Sequence, residues 1–427
     1  MLSGNNPQKW LRKTTLPDPN AVAVFIQNPF VNMTSISATQ TGLHQYRQQF
    51  PALANKAYFN FGGQGPMPSS AMDAVILAQD NIQRIGPFGN EVNAWLKQQT
   101  KATRVAIATE LNVSPETITL TEDVTVGCNI AMWGIEWKAG DHILLTDCEH
   151  PGIIASANEI ARRFSVEVTT CPILATLNAG DPVAIIAQHL RPRTRMVILS
   201  HVLWNTGQVL PLKKIVEACE TNNTKVMVDA AQSVGLLPLN LTELGVDFYA
   251  FTGHKWLCGP PGVGGLYVRP QVREILYPTF VGWRSIVVDG KAKPVKWQES
   301  GEKYEIATSA YPFYVALTEA IAVHQKWGTA QKRYEQICHN SDYLWKKLIT
   351  VPGIKCLQNS PPETGLVSFQ LENNQSKTSL ELVTFLESKE ILTRTIADPD
   401  CVRACVHYFT LESEIDQLVE EIQGFCN

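Results

Sequence analysis

An α/β fold on a mostly parallel sheet, with helices on both faces, is the fold class this sequence predicts. Two observations predict it. From about residue 103 to 268, short β-rich runs alternate with runs of helical character, which is the mark of strand–helix–strand units. Residues able to do chemistry follow those strand runs: Glu149 and His150, Asn205, Asp229, Gln232, His254 and Lys255. The carboxyl ends of the strands are where open α/β sheets bind ligands.

Taken in order, "HQYRQQFPALANKAYFNFGGQGPMPSSAMDAV" reads as a helix, a short aromatic strand and a glycine-proline turn that opens a helix at Ser69 or Ser70. Then come strand "TITLTED", helix "VTVGCNIAMWGIEW", strand "DHILLTD", helix "HPGIIASANEIARRF" and strand "VEVTTCPI". The alternation continues through strand "TRMVILSHV", helix "PLKKIVEACETNN" and strands "KVMVDAAQS", "VDFYAFTG" and "VGGLYV". Past residue 300 the composition shifts. "AVHQKWGTAQKRYEQICHNSDYLWKKL" predicts one long helix, then a small α+β unit with strands in "GLVSFQL" and "CVRACVHYFT" and helices in "SLELVTFLESKEI" and "ESEIDQLVEEIQGF". The expected organisation is an N-terminal lead over 1–45, a large domain over 46–300 whose first segment contributes to the small domain, and a small domain over 301–427.

Composition bounds the function. With 427 residues and 44% hydrophobic content, the chain is long enough for more than one core. Its formal net charge of -4, without an arginine-rich stripe, gives no nucleic-acid footprint. Apolar runs such as "NAVAVFI" are too short to span a membrane. The first 20 residues lack the apolar core of a signal peptide. Ten dispersed cysteines without a CxxC pair fit reduced thiols in a cytoplasmic protein. Scattered histidines, with no HExxH, predict no metal site.

Lys255 lies in "FTGHKWLCGPPGVGG", between an apolar run and a turn whose glycines allow close backbone approach. A solvated loop lysine is the plain alternative. Asp229 tips the balance: it ends the apolar run "KVMV", where an unpartnered charge is costly. An amine for an imine, and a carboxylate to keep a pyridine nitrogen protonated, are the pair that a pyridinium aldehyde cofactor requires. Asp229 could instead cap a following helix, and Gln232 could be part of a capping box or reach the same ligand. Val124 and Thr125 open a helix after a strand, and their amides and the Thr125 hydroxyl could cradle a phosphate. His150 is structural or lies against an aromatic cofactor. Arg394 and Arg403 bracket "TIADPDCV" and are surface charges or a clamp for carboxylates.

Together, "DAAQS" and "DFYAFTGHKWLCGPPGVGGLYV" resemble the class V aminotransferases, the fold-type I pyridoxal-phosphate enzymes that include the cysteine desulfurases. The resemblance covers nearly the whole chain after residue 45. It implies the fold of a PLP-dependent transferase of fold type I, with a mostly parallel seven-stranded sheet and a small α+β domain. It implies that Lys255 carries the cofactor, Asp229 pairs with the ring nitrogen, His150 stacks on the ring, and Gln232 and Asn205 lie by the ring oxygen. Val124, Thr125, Thr252 and His254 would hold the phosphate. Thr308 would be lent to the phosphate of a partner subunit, making a homodimer with shared active sites, and Arg403 would bind the substrate α-carboxylate.

The desulfurases carry a nucleophilic cysteine on a mobile loop before that arginine. Here the segment is only "TIADPDCV", and Cys401 stands two residues before Arg403. "LLTDCEHPGIIA", "LWNTGQVLPL", "YAFTGHKW", "GVGGLY", "VGWRSI" and "TRTIADPDC" are more similar to the cyanobacterial carbon–sulfur lyases of the family. That resemblance implies β-elimination of L-cystine, and less well of L-cysteine, giving pyruvate, ammonia and cysteine persulfide or sulfide. Such sulfur could serve iron–sulfur clusters, though its acceptor is not named by the sequence. Arg394 would meet the far carboxylate of cystine. The alternatives are a desulfurase that makes alanine and a persulfide on Cys401, a class V epimerase or aminotransferase, and a cofactor-holding scaffold.

Overall fold

The structure, a computed structural model, describes residues 40–372 and 377–427. The N-terminal lead expected over 1–45 lies mostly outside these residues. A first short strand, β1 (Ala57–Tyr58), precedes the main sheet. That sheet comprises β2 (Ile118–Thr121), β3 (His142–Thr146), β4 (Glu167–Cys171), β5 (Thr194–Ser200), β6 (Lys225–Asp229), β7 (Phe248–Thr252) and β8 (Gly264–Val268). The seven strands lie in the order β2-β8-β7-β6-β5-β3-β4. Pairing is parallel from β7 across to β4, and β8 alone runs against its neighbours β7 and β2.

The strand runs are apolar because both faces of this sheet are covered. Along β5, Val197 and Leu199 enter one core cluster while Met196 and Ile198 enter another. Along β6, Val226 and Val228 divide from Met227 in the same way. Successive residues of a strand point to opposite faces, so an unbroken apolar run serves two helical layers at once.

A hairpin of β9 (Ile286–Val288) and β10 (Pro294–Trp297) follows the main sheet. Beyond it, β11 (Ile354–Cys356), β12 (Leu366–Leu371), β14 (Arg394–Ala397) and β15 (Asp400–Cys405) form an antiparallel sheet in the order β11-β12-β15-β14. The short β13 (Ile391–Leu392) pairs in parallel with β1, which joins the chain's first described strand to this region. Helices Ser379–Ser388 and Glu412–Cys426 supply Leu382, Leu386, Ile415 and Leu418 to the core behind the small sheet.

Three local readings need correction. The long helix expected over 322–348 is two, Tyr311–Trp327 and Ala330–Leu348. The chain is extended at Gly328, and the Thr329 side chain caps the second helix by accepting from the Lys332 amide. No helix follows Asp229: residues 230–236 form successive turns, with the Ser233 amide bonded to the Ala230 carbonyl and the Leu236 amide to that of Ser233. Helix Asn90–Leu111, to which the sequence reading assigns no element, packs against the rest through Ile107, Ala108 and Leu111.

Candidate active site

Parallel strands deliver their carboxyl ends to one edge, and the predicted residues collect there. β3 leads to Glu149 and His150, β5 to Trp204 and Asn205, β6 ends on Asp229, and β7 leads to His254 and Lys255. Asp229 is buried, and its Oδ1 accepts from the Ala231 amide at 2.9 Å. Burial raises its carboxyl above the usual range, against the pull of that amide and of Lys255. Burial brings the Lys255 amine down to about 8, with Asp229 opposing the shift and Arg403 and Arg394 adding to it. Asp229 and Lys255 thus influence each other, yet among the described residues they form no ion pair, and the lysine amine makes no hydrogen bond to the protein. A buried amine and carboxylate held apart leave room for a group that satisfies both.

The turn that bears Lys255 is held tightly. The Gly65 amide bonds to the His254 carbonyl at 2.7 Å, and a Cβ on Gly65 would stand 2.2 Å from the Lys255 carbonyl oxygen, so only glycine fits. Two buried histidines fix the next peptide units, His407 Nε2 at 3.1 Å from the Trp256 carbonyl and His324 Nε2 at 2.8 Å from that of Leu257.

His150 caps helix Pro151–Phe164 through Nδ1, which accepts from the Gly152 amide at 3.2 Å. The ring proton therefore sits on Nε2. Burial lowers the imidazole's proton affinity, against the opposing pull of Asp229, which favours this neutral form. The preceding residue, Glu149, is buried and tied to Thr146 Oγ1 at 2.5 Å and to the Ser200 amide and hydroxyl at 3.0 Å. Burial pushes its carboxyl up to about 8. Glu149 thereby clamps the ends of β3 and β5 together, a positioning role for His150 that local sequence does not reveal.

At the start of helix Val124–Trp133, Asp123 accepts from the Val126 amide at 2.9 Å, so the first amides, Val124 and Thr125, are left for an anion. Thr252 Oγ1 lies 2.6 Å from His254 Nδ1 after β7. The Asn205 amide nitrogen donates to the Asp398 carbonyl at 3.1 Å, while its Oδ1 is buried without a partner. Gln232 neither caps a helix nor forms a capping box. Its oxygen accepts from Trp256 Nε1, and its nitrogen donates to the Gly62 carbonyl, both at 2.9 Å, leaving one amide hydrogen for a ligand. Thr308 stands between Tyr304 and helix Tyr311–Trp327 and makes no hydrogen bond to the groups named above.

Arg403 is 1% exposed and lies opposite Arg394 on β14 and Ser368 on β12. Its Nη1 donates to the Trp204 carbonyl at 2.6 Å, while Nε and Nη2 are buried and unpartnered. Those two nitrogens form the edge of the guanidinium that takes a carboxylate bidentately. Leaving them unpaired in the interior is costly unless a ligand answers them. Arg394 is more exposed and feels Arg403 as a neighbouring positive charge. Cys401 is fully buried on β15, and burial pushes its thiol up to about 12. Neither access nor ionisation suits it as a nucleophile. The hairpin of β14 and β15 turns through only Asp398 and Pro399, so no long cysteine-bearing loop exists there.

The residues present fit pyridoxal phosphate. Lys255 and Asp229 supply an imine-forming amine and a carboxylate for a cationic ring nitrogen, the helix at Val124 supplies anion-binding amides, and unpaired Asn205 Oδ1 marks a polar ligand position. Among the described residues no cluster of metal-ligating side chains is present.

Comparison with known proteins gives the same picture. The aminotransferase class-V family matches residues 86–418. The chain is similar to the cystine C-S lyase C-DES, solved in complex with its reaction product cysteine persulfide, at 50% identity and a TM-score of 0.86, covering 88% of this chain and 99% of that one. A mutant of C-DES has been solved with glycine covalently linked to the PLP cofactor. Isopenicillin N epimerase of Streptomyces clavuligerus is 28% identical over 86% of this chain and 94% of its own length. Cysteine desulfurase of Klebsiella pneumoniae is 26% identical over 89% of this chain and 97% of its own.

Proposed function

This chain belongs to the class V aminotransferase family, and from that premise we propose that it is a pyridoxal-phosphate-dependent carbon–sulfur lyase acting on L-cystine. The observation that carries the choice within the family is Cys401, buried and with its thiol pushed up to about 12, on a hairpin too short to bring it to a substrate. The 50% identity to C-DES, with its persulfide product, supports the same reading.

Lys255 would hold the cofactor, Asp229 its ring nitrogen, and His150 its face. Val124, Thr125, Thr252 and His254 would hold the phosphate, with Asn205 and Gln232 near the ring oxygen. Bound there, the cofactor supplies an electron sink for the pair left on Cα when its proton is removed. Arg403 receives the α-carboxylate on Nε and Nη2 and so fixes Cα relative to Lys255. With substrate bound, the Lys255 amine would remove the α-proton at Nζ. Its lowered proton affinity suits that task, because a fraction of the amine is neutral near pH 8. The Cβ–S bond then breaks with its electrons on sulfur, and the leaving group is cysteine persulfide. One water is consumed, so cystine and water give pyruvate, ammonia and cysteine persulfide. No protein thiol takes part. Arg394, paired with Arg403 across β14 and β15 and more exposed, would meet the second carboxylate of cystine.

The domain division at residue 300 remains part of this proposal, as does the homodimer. The segment Phe280–Trp283 exposes Phe280 by 68%, Val281 by 56% and Trp283 by 60%. It lies against Ile306, two residues from Thr308, through the Arg284 amide bonded to the Ile306 carbonyl at 3.2 Å. Apolar side chains so exposed mark a covered surface, and a second copy seated there would receive Thr308. Among the described residues no helix is long and apolar enough to cross a membrane, and a cytoplasmic location is part of the same proposal.

Product analysis tests the central reading. Cystine should yield pyruvate and ammonia, and Cys401→Ser should retain most of the turnover. Alanine as the product, with an inactive Cys401→Ser protein, would make the enzyme a desulfurase. Arg394→Ala should lower kcat/KM for cystine by roughly tenfold or more, the scale of one charge-assisted hydrogen bond, while leaving cysteine little affected. Equal losses on both substrates would remove Arg394 from that role. Sedimentation should read twice the 47.4 kDa chain mass. A monomer that binds cofactor and turns over fully would refute the shared site.

A further inference from the structure

We infer that Gly62 is a specificity-determining residue of this site, because the absence of a Cβ there makes the room in which the Arg403 guanidinium meets a carboxylate. The inference rests on the reading of Arg403 as the α-carboxylate clamp. A Cβ on Gly62 would stand 2.9 Å from Arg403 Nη2, 3.0 Å from its Cζ and 3.1 Å from Cys405 Sγ. Non-bonded heavy atoms prefer about 3.5–4.0 Å, so one of the partners must move.

Neither side is free to move. Just before Gly62, the Phe59 amide bonds to the Leu392 carbonyl at 2.8 Å and the Phe59 carbonyl accepts from the Cys405 amide at 2.7 Å. The Gly62 carbonyl itself is held by Gln232 Nε2 at 2.9 Å. On the other side, Arg403 is anchored by Nη1 on the Trp204 carbonyl and is 1% exposed. Nη2, the atom that the added methyl would strike, belongs with Nε to the unpartnered edge of the fork. A methyl at residue 62 therefore either displaces that edge or occupies the place of its ligand. Bidentate pairing depends on geometry to a few tenths of an ångström, so a small shift is enough to weaken it.

The requirement at Gly62 is one of space rather than backbone shape. Gly62 is not among the positive-φ residues, so alanine meets no conformational strain there. Its neighbour offers a contrast: a Cβ on Gly63 would meet the Asn60 side-chain amide at 2.7 Å rather than the arginine.

The test titrates the holoenzyme's visible absorption with glycine, which has an α-carboxylate, and with ethylamine, which has none. Wild type, Gly62→Ala, Arg403→Lys and the double variant are compared. Gly62→Ala should raise the apparent Kd for glycine by roughly tenfold and leave ethylamine within about twofold. Arg403→Lys removes Cζ and Nη2, so Gly62→Ala should add almost nothing in that background, and the two changes should be non-additive. Gly62→Ala that binds glycine like wild type, while Arg403→Lys does not, overturns the inference and spares the clamp. Normal glycine binding by Arg403→Lys refutes the clamp and, with it, the inference. Equal weakening of glycine and ethylamine, or a Gly62→Ala protein that fails to fold in both backgrounds, shows a structural requirement and also overturns it. Failure of Gly62→Ala to fold when Arg403 is present, together with normal folding of the double variant, supports the clash.

Discussion

The structure is organised around a buried carboxylate and a buried amine that are not allowed to pair. Asp229 and Lys255 lie at the ends of adjacent strands, each shifted by burial away from its charged form, and each drawn back toward it by the other. Direct contact would satisfy both and close the site. Holding them apart needs rigid supports, and the molecule supplies them. The parallel sheet fixes the strand ends, Gly65 lets the first segment lie against the lysine turn, and His324 and His407 fasten the carbonyls that follow. In the proposed function a bound cofactor would answer both groups.

The small sheet completes the site from the other side. It brings in Arg403 with one donor anchored to Trp204 and one bidentate edge unsatisfied. The same sheet decides the sulfur chemistry by exclusion, because β15 buries Cys401 among its neighbours on a tight hairpin. A nucleophilic persulfide carrier needs exposure and a thiolate, and neither is present. The sulfur therefore leaves on the substrate fragment. The segment around Gly62 is bonded to the lysine turn's neighbour Trp256 through Gln232 and to β15 through Phe59, so Lys255 and Arg403 share a common scaffold.

Much of this was legible in the sequence where the information is local. Asp229 at the end of "KVMV" and Lys255 ahead of a glycine-proline turn are strand-end signals, and the alternation of runs points to the direction of the main sheet. Where tertiary packing decides, reading failed. Gly328 and Thr329 break a run that looks helical throughout, since apolar periodicity continues across a cap. The turns after Asp229 replace an expected helix, because Ala230 and Ser233 bond within the turn and the chain goes on to Gly235 with a positive φ. Helix Asn90–Leu111 carries Thr100, Thr103 and Arg104 on its buried face, polar residues that blur its amphipathic pattern. Gly62, Glu149 in its clamping role, and the setting of Thr308 are properties of approach between distant segments, and no local pattern encodes them.

Everything proposed for this site depends on Lys255, opposed to Asp229, being the covalent attachment point of the cofactor. Borohydride reduction of the holoenzyme, followed by digestion and mass spectrometry, measures this directly. A reduced phosphopyridoxyl group is expected on the peptide containing Lys255 and on no other lysine peptide. A modification at a different lysine, or a protein that takes up no pyridoxal phosphate to be trapped, would contradict it.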